Sequence, residues 1–142
     1  MANAKTIDPD QDQSHPVVEL RIRATPDQLP VLRALASTIA IHENFDLDAI
    51  ADIKLAMDEI CTHLIVRSTE DAQLVCRLQS LVGTLRVSVS TTTNELDDFS
   101  PHSFGWRVLE TLTDSVEISQ EPTGGLGYIT TMEFSKTNGM YS

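Results

Sequence analysis

Four side chains able to do chemistry stand close together in "ADIKLAMDEICTHLIVRS" (51–68): Asp58, Glu59, Cys61 and His63. A carboxylate beside an imidazole is a proton-transfer pair in outline. Glu59 and His63 are four residues apart, so on a helix they can touch. Glu59 is therefore a candidate general base. The plainer reading is a carboxylate at the rim of the core, pairing with His63 or solvent. For His63 the choices are a phosphoacceptor, a metal ligand or a pH-sensitive rim histidine. "Cys61-Thr62-His63" is not a zinc spacing, and no second Cys/His pair stands near it. Cys61 and Cys76 both fall inside predicted regular elements and read as small buried hydrophobes, reduced in a cytosolic protein. A disulfide between them rests on parity alone.

These residues need elements to hold them. Ile50, Ile53, Met57, Ile60 and Leu64 recur at helical spacing, so 51–68 lies within an amphipathic helix capped by Asp46, with Asp48 in its first turn. At about 100° per residue, Asp52, Ala56, Glu59 and His63 share one flank. Upstream, "VVELRIRAT" (17–25) alternates as a half-buried strand. Thr25, Pro26 and Gln28 predict a capping box for a helix whose apolar positions are Leu29, Leu32, Leu35, Ala36 and Ile39. Pro30 falls in its first turn, where its cost is small.

Downstream, "AQLVCRLQSL" and "TLRVSVSTTT" predict a hairpin turning near Gly83. "NELDDFSPH" is an acidic loop. "SFGWRVLETLTDSV" predicts a third helix with Trp106, Leu109 and Leu112 or Thr113 inward. "VEISQE" and "YITTMEFSK", joined by "PTGGLG", predict a closing hairpin. The order β-α-α-β-β-α-β-β implies a two-layer α/β sandwich of the α+β kind. One mixed or antiparallel sheet would carry three helices on one face. Residues 1–16 read as a disordered tail, 17–136 as one domain, and 137–142 as a frayed end.

The chain has 142 residues and 41% apolar residues, which suits one ordinary core. No apolar run approaches the ~20 residues of a membrane helix, and the N-terminus lacks a secretory pattern, so a cytoplasmic location is expected. Acidic residues outnumber basic ones by 21 to 10, a net charge of −11. That argues against nucleic acid and anionic membranes as partners. It suits a protein partner with a basic surface.

The element order and three strings resemble the anti-sigma factors of the RsbW and SpoIIAB kind, in the GHKL (Bergerat-fold) ATPase superfamily. "LAMDEICTHLI" (55–65) is similar to a family pattern close to "vavsEacTNai". "SFGWRVLETLTDSVEI" (103–118) is similar to "GlGlfLietLmDeVei", and "GYITTMEF" (127–134) resembles the last strand. The strings look closest to actinobacterial members. The resemblance covers roughly residues 17–136. It implies a protein that binds a stress or sporulation sigma factor and is released by a STAS-domain anti-anti-sigma protein. It also implies a homodimer, ATP with Mg²⁺ as cofactor, and serine kinase activity towards the STAS partner. Arg33 falls where such proteins place a partner-binding arginine; it reads as isolated on an exposed helix face, and Leu29 is taken with it as a partner contact.

The nucleotide boxes depart from the family. Glu59 keeps the place of the acid, but His63 stands where an asparagine would hold Mg²⁺, an ion that prefers oxygen ligands. An Asp-x-Gly-x-Gly box aligns with Thr91, Thr92 and Thr93, so Thr91 brings no charge and Thr93 brings a branched side chain where glycine is wanted. The Gly-rich phosphate box is reduced to Ser103-Phe104-Gly105. At about 1–3 kcal/mol for each lost contact, ATP binding of the ordinary kind is weakened. Two functional expectations stand side by side: nucleotide-independent sequestration of a sigma factor, and an active serine protein kinase.

Overall fold

The computed structural model describes residues 17–96 and 103–139. The expected tail 1–16, residues 140–142 of the expected tail 137–142, and the part of the acidic loop from 97 to 102 lie outside the described residues. The elements are β1 (Val17–Arg23), a 3₁₀ turn (Pro26–Gln28), α1 (Leu29–His42), α2 (Leu47–Arg67), β2 (Gln73–Leu81), β3 (Thr84–Thr93), α3 (Phe104–Leu112), β4 (Ser115–Pro122) and β5 (Tyr128–Thr137). The strands form one sheet in the order β1-β2-β3-β5-β4. Every pairing is antiparallel, so the expectation narrows from mixed or antiparallel to antiparallel alone.

Alternation along the strands decides which face is covered. One register row runs Leu20, Cys76, Val89, Met132 and Ile118 across all five strands. The next inward row runs Val18, Leu78, Val87, Phe134 and Val116. The row between them, on the opposite face, reads Glu19, Arg77, Ser88, Glu133 and Glu117. That outer face carries cross-strand ion pairs, Arg77 with Glu19 at 3.5 Å and Arg86 with Glu133 at 2.6 Å. All three helices therefore lie on the apolar face. Helix α2 lies over β3 and β5 and packs against α1 on one side and α3 on the other. It buries Ile53, Ala56, Met57, Ile60, Cys61, Leu64 and Ile65. Helix α1 turns Leu32, Ala36 and Ala40 into the same core.

Capping follows the sequence at one helix and departs from it at another. The Asp46 side chain accepts the Ala49 N–H at 2.8 Å, as expected for the start of α2. The capping box at Thr25 does not form. Gln28 N–H bonds Thr25 O at 3.0 Å in a 3₁₀ turn, which moves the start of α1 to Leu29 and leaves Gln28 at its N-cap. The Thr25 hydroxyl is buried without a partner. Helix α3 is also shorter than predicted. It stops at Leu112, because the Thr113 N–H and hydroxyl both bond Leu109 O. The next residue already joins the sheet, with Asp114 N–H donating to Ser135 O at 2.9 Å.

The domain extends past its expected end at 136. Thr137 pairs with Thr84, and Asn138 is 3% exposed. The Asn138 amide donates to Glu43 O and Asn44 O at 3.1 and 3.2 Å, and its N–H donates to Gly83 O at 2.6 Å. One residue thus ties the α1–α2 turn, through its side chain, to the β2–β3 hairpin tip, through its backbone. That tip is a two-residue turn, as predicted near Gly83, with φ of 38° at Val82 and 77° at Gly83. Val82 is 79% exposed and is a β-branched residue in a left-handed conformation.

Two outcomes are expected from this end of the sheet. Asn138→Ala lowers unfolding free energy in urea by about 1–2 kcal/mol, because two carbonyls of the α1–α2 turn lose their donor. Val82→Asn raises it by about 1 kcal/mol, since asparagine tolerates positive φ and little packing is lost.

Candidate functional site

The orientation of α2 sorts its chemical side chains onto two flanks. Asp58 and Arg33 form an ion pair between α2 and α1. On the other flank, Asp52 Oδ2 accepts from Lys136 Nζ at 3.2 Å, and the same ammonium donates to Leu112 O at 2.9 Å. Lys136 is an inward residue of β5 with a side chain only 18% exposed. It fastens the C-terminal end of α3 to the first half of α2. A cation on the last carbonyls of a helix also complements the helix dipole.

The exit of β3 meets the C-terminal end of α2, where Asn94 N–H bonds Arg67 O, and the end of α3 at Leu112 is tied to Asp52 through Lys136. Glu59 and His63 lie on α2, and Ser103 and Gly105 at the start of α3.

Their individual environments differ from the expectations. Glu59 is half-buried and makes no hydrogen bond or ion pair among the described residues, so the expected Glu59–His63 pair is not formed. Ala56, expected on the polar flank, is fully buried. The Ser103 hydroxyl accepts Trp106 N–H at 3.2 Å and serves as the N-cap of α3. Gly105 lies inside the first turn of that helix. Trp106 is half-buried, in keeping with a wall of the groove.

Thr91 and Thr93 are inward residues of β3, 4% and 1% exposed. The Thr91 hydroxyl donates to Gln73 O at 2.8 Å. Thr93 Oγ1 lies 2.7 Å from Thr130 Oγ1. Gln120 Nε2 donates to Thr130 Oγ1 at 2.8 Å and to Glu95 O at 3.2 Å. This chain of contacts holds the exit of β3 against β4 and β5. Neither Thr130 nor Gln120 is visible in the sequence as a site residue; both sit in ordinary alternating strands.

The thiols are as expected. Cys61 and Cys76 are both free and fully buried. A hydrogen bond with Cys76, then burial, then the Asp58 charge push the Cys61 thiol well above its usual range. Arg33, expected as isolated, is held by Asp58, because the flank of α2 that carries Asp58 faces α1. Leu29 is half-buried and packs against the core, which leaves less of it for a partner than a surface residue would offer. A surface cavity of about 240 Å³ lies between Val66, Arg67, Asn94, Glu95 and Leu96, beyond the predicted site residues. No helix among the described residues is long and apolar enough to cross a membrane.

Residues 22–134 match the histidine kinase-like ATPase domain family. The chain belongs to this family. It is 38% identical over 100 residues to the anti-sigma-F factor RsbW of Mycobacterium tuberculosis, in both the H37Rv and the CDC 1551 / Oshkosh strains. That match covers 70% of this chain and 60% of the relative. The serine-protein kinase RsbW of Bacillus pumilus is 22% identical over 125 residues, covering 72% of this chain and 77% of that one. A crystal structure of the RsbU and RsbW domains of Rv1364c from Mycobacterium tuberculosis superposes with a TM-score of 0.63. It is 19% identical and covers 86% of this chain and 32% of that one. The chain thus spans about 60% of its mycobacterial relative and shares the fold of the solved domain.

The buried thiol carries a pH prediction. The folded pKa of Cys61 is raised, so its contribution to stability is complete below the unfolded thiol value of about 8.5 and fades as pH rises above it. Thermal melts from pH 7 to 10 are expected to show a fall above pH 8.5 that is smaller in Cys61→Ala.

Proposed function

We propose that this chain is an anti-sigma factor. It sequesters an alternative, stress-type sigma factor of RNA polymerase in the cytoplasm and gives it up to a STAS-domain anti-anti-sigma protein. It acts as a homodimer and binds neither nucleic acid nor membrane. The observation that carries this reading is the 38% identity to an anti-sigma-F factor over 100 residues. The net charge of −11 supports a protein partner with basic surface over a nucleic acid.

The reading is nucleotide-independent. ATP with Mg²⁺ is what the family implies, and the residues at the aligned positions do not fit it well. An imidazole at 63 replaces an oxygen donor for a small hard cation. Thr91 and Thr93 use their hydroxyls within the protein and bring no carboxylate to an adenine amino group. The Ser103 hydroxyl caps α3. Among the described residues, the only buried side-chain N or O atom without a partner is the Thr25 hydroxyl, on a different part of the fold. What this chain's own residues supply is a rigid helical face, held by the core and by the Lys136 and Asp58 ion pairs.

One observation favours the kinase reading: Glu59 keeps its carboxylate uncommitted at the groove. If Glu59 acts as a base, phosphate transfer from ATP to a STAS partner occurs and is lost in Glu59→Gln.

Titration calorimetry with a sigma-F-type factor from the same organism separates these readings. The expected result is tight binding that changes less than about threefold, or under ~0.7 kcal/mol, when Mg·ATP is added. Tightening beyond about tenfold removes the nucleotide-independent reading, and absence of any sigma binding removes the anti-sigma reading.

A further inference from the structure

A second cavity, of about 350 Å³, opens where β1 ends, lined by Arg23, Thr25 and the α2–β2 loop from 68 to 72. Its walls are pinned by the backbone. Ala24 N–H bonds Ala72 O at 3.0 Å, and Thr69 N–H bonds Thr92 O at 2.9 Å at the exit of β3. Between these anchors, Ala72 N–H closes on Thr69 O at 3.1 Å, in a turn with Glu70 and Asp71 at its centre. The cavity is therefore built before any ligand arrives. Its volume is at the small end of the roughly 300–1,000 Å³ usual for small-molecule sites.

Four polar side chains in this wall are uncommitted. The Thr25 hydroxyl is the only buried side-chain N or O atom without a partner among the described residues. A buried hydroxyl left unpaired is costly, so it calls for a partner from outside the chain. The Arg23 guanidinium and the Glu70 and Asp71 carboxylates also make no hydrogen bond or ion pair among the described residues. Elsewhere in the protein, exposed arginines find acids, as Arg21 and Arg77 do with Glu19 and Arg86 does with Glu133. Here opposite charges line one cavity without closing on each other.

The charges select the class of ligand. A simple anion would meet Arg23 but also two carboxylates. A metal ion would meet two carboxylates but also a guanidinium, and no group of three or more His, Cys, Asp or Glu suited to a metal occurs among the described residues. A neutral sugar would leave every charge unpaired. A zwitterion answers both signs at once, and a free α-amino acid carries its two charges close enough together for a cavity of this size.

We propose that this cavity binds a free α-amino acid. The Arg23 guanidinium holds the carboxylate, the Thr25 hydroxyl donates to the same carboxylate, and Glu70 and Asp71 receive the ammonium. The site stands apart from the anti-sigma reading and does not depend on it.

The test uses the full chain with each common α-amino acid singly, at about 10 mM in thermal melts and then by titration calorimetry. At least one raises the melting temperature and binds. Its N-acetyl form, without the ammonium, and its carboxamide form, without the carboxylate, each bind about tenfold more weakly. Arg23→Gln weakens the free amino acid by about tenfold and no longer distinguishes it from the carboxamide, as expected of groups that meet directly. Thr25→Val keeps the shape of the side chain, melts no lower than wild type, and weakens binding by about threefold. The proposal is overturned if no amino acid binds, if the capped forms bind as well as the free one, or if Arg23→Gln binds normally. A Thr25→Val melt well below wild type overturns it too, because the hydroxyl would then be serving the fold.

Discussion

Packing of α2 against the inner rows of the sheet is the contact from which the other features follow. Ile53, Met57, Ile60 and Leu64 are fully buried over strands whose inward rows are continuous from β1 to β4. A helix fixed by four such positions cannot rotate without exposing them, at roughly 1.5–3 kcal/mol for each side chain returned to water. Its rotation is therefore set by apolar burial alone. Its polar flanks then have no choice of direction. Asp58 meets α1, and Asp52 meets β5 through Lys136.

Helix α3 depends on this frame more than it contributes to it. It buries only Leu109 fully. Polar contacts do the rest: Ser103 caps its start, Thr113 closes its end, and Lys136 binds its last carbonyl. A short helix held mainly by its termini is the element most open to local rearrangement. In this chain the threonines at the exit of β3 are tied into the sheet through Thr130 and Gln120.

A rigid placement of the helices suits the proposed function. A protein that binds another protein needs a fixed surface more than a reactive centre. The exposed stripe on α1 (Val31 and Ile41) and the Arg33–Asp58 pair share one face of the fold. Their geometry rests on the same α1–α2 contact that completes the core.

Local pattern alone determined most of the architecture. Period-two alternation marked β1, hairpin and turn signals marked the other four strands, helical spacing marked three helices, and Asp46 and Gly83 marked a cap and a turn correctly, because these depend on near neighbours in the chain. The composition likewise determined the charge and the single core. What only the tertiary structure decided involves partners distant in sequence. Arg33 looked isolated because Asp58 is 25 residues away, and Lys136 and Asp52 are 84 apart. Asn138 looked like a frayed end because its acceptors lie 94 and 95 residues earlier. The Thr25 box failed because the path from β1 to α1 is set by where the sheet ends, and a tight turn there shifted the helix start. Side-chain chemistry is written residue by residue, but which groups neutralise, orient or leave one another free is a property of the packed chain.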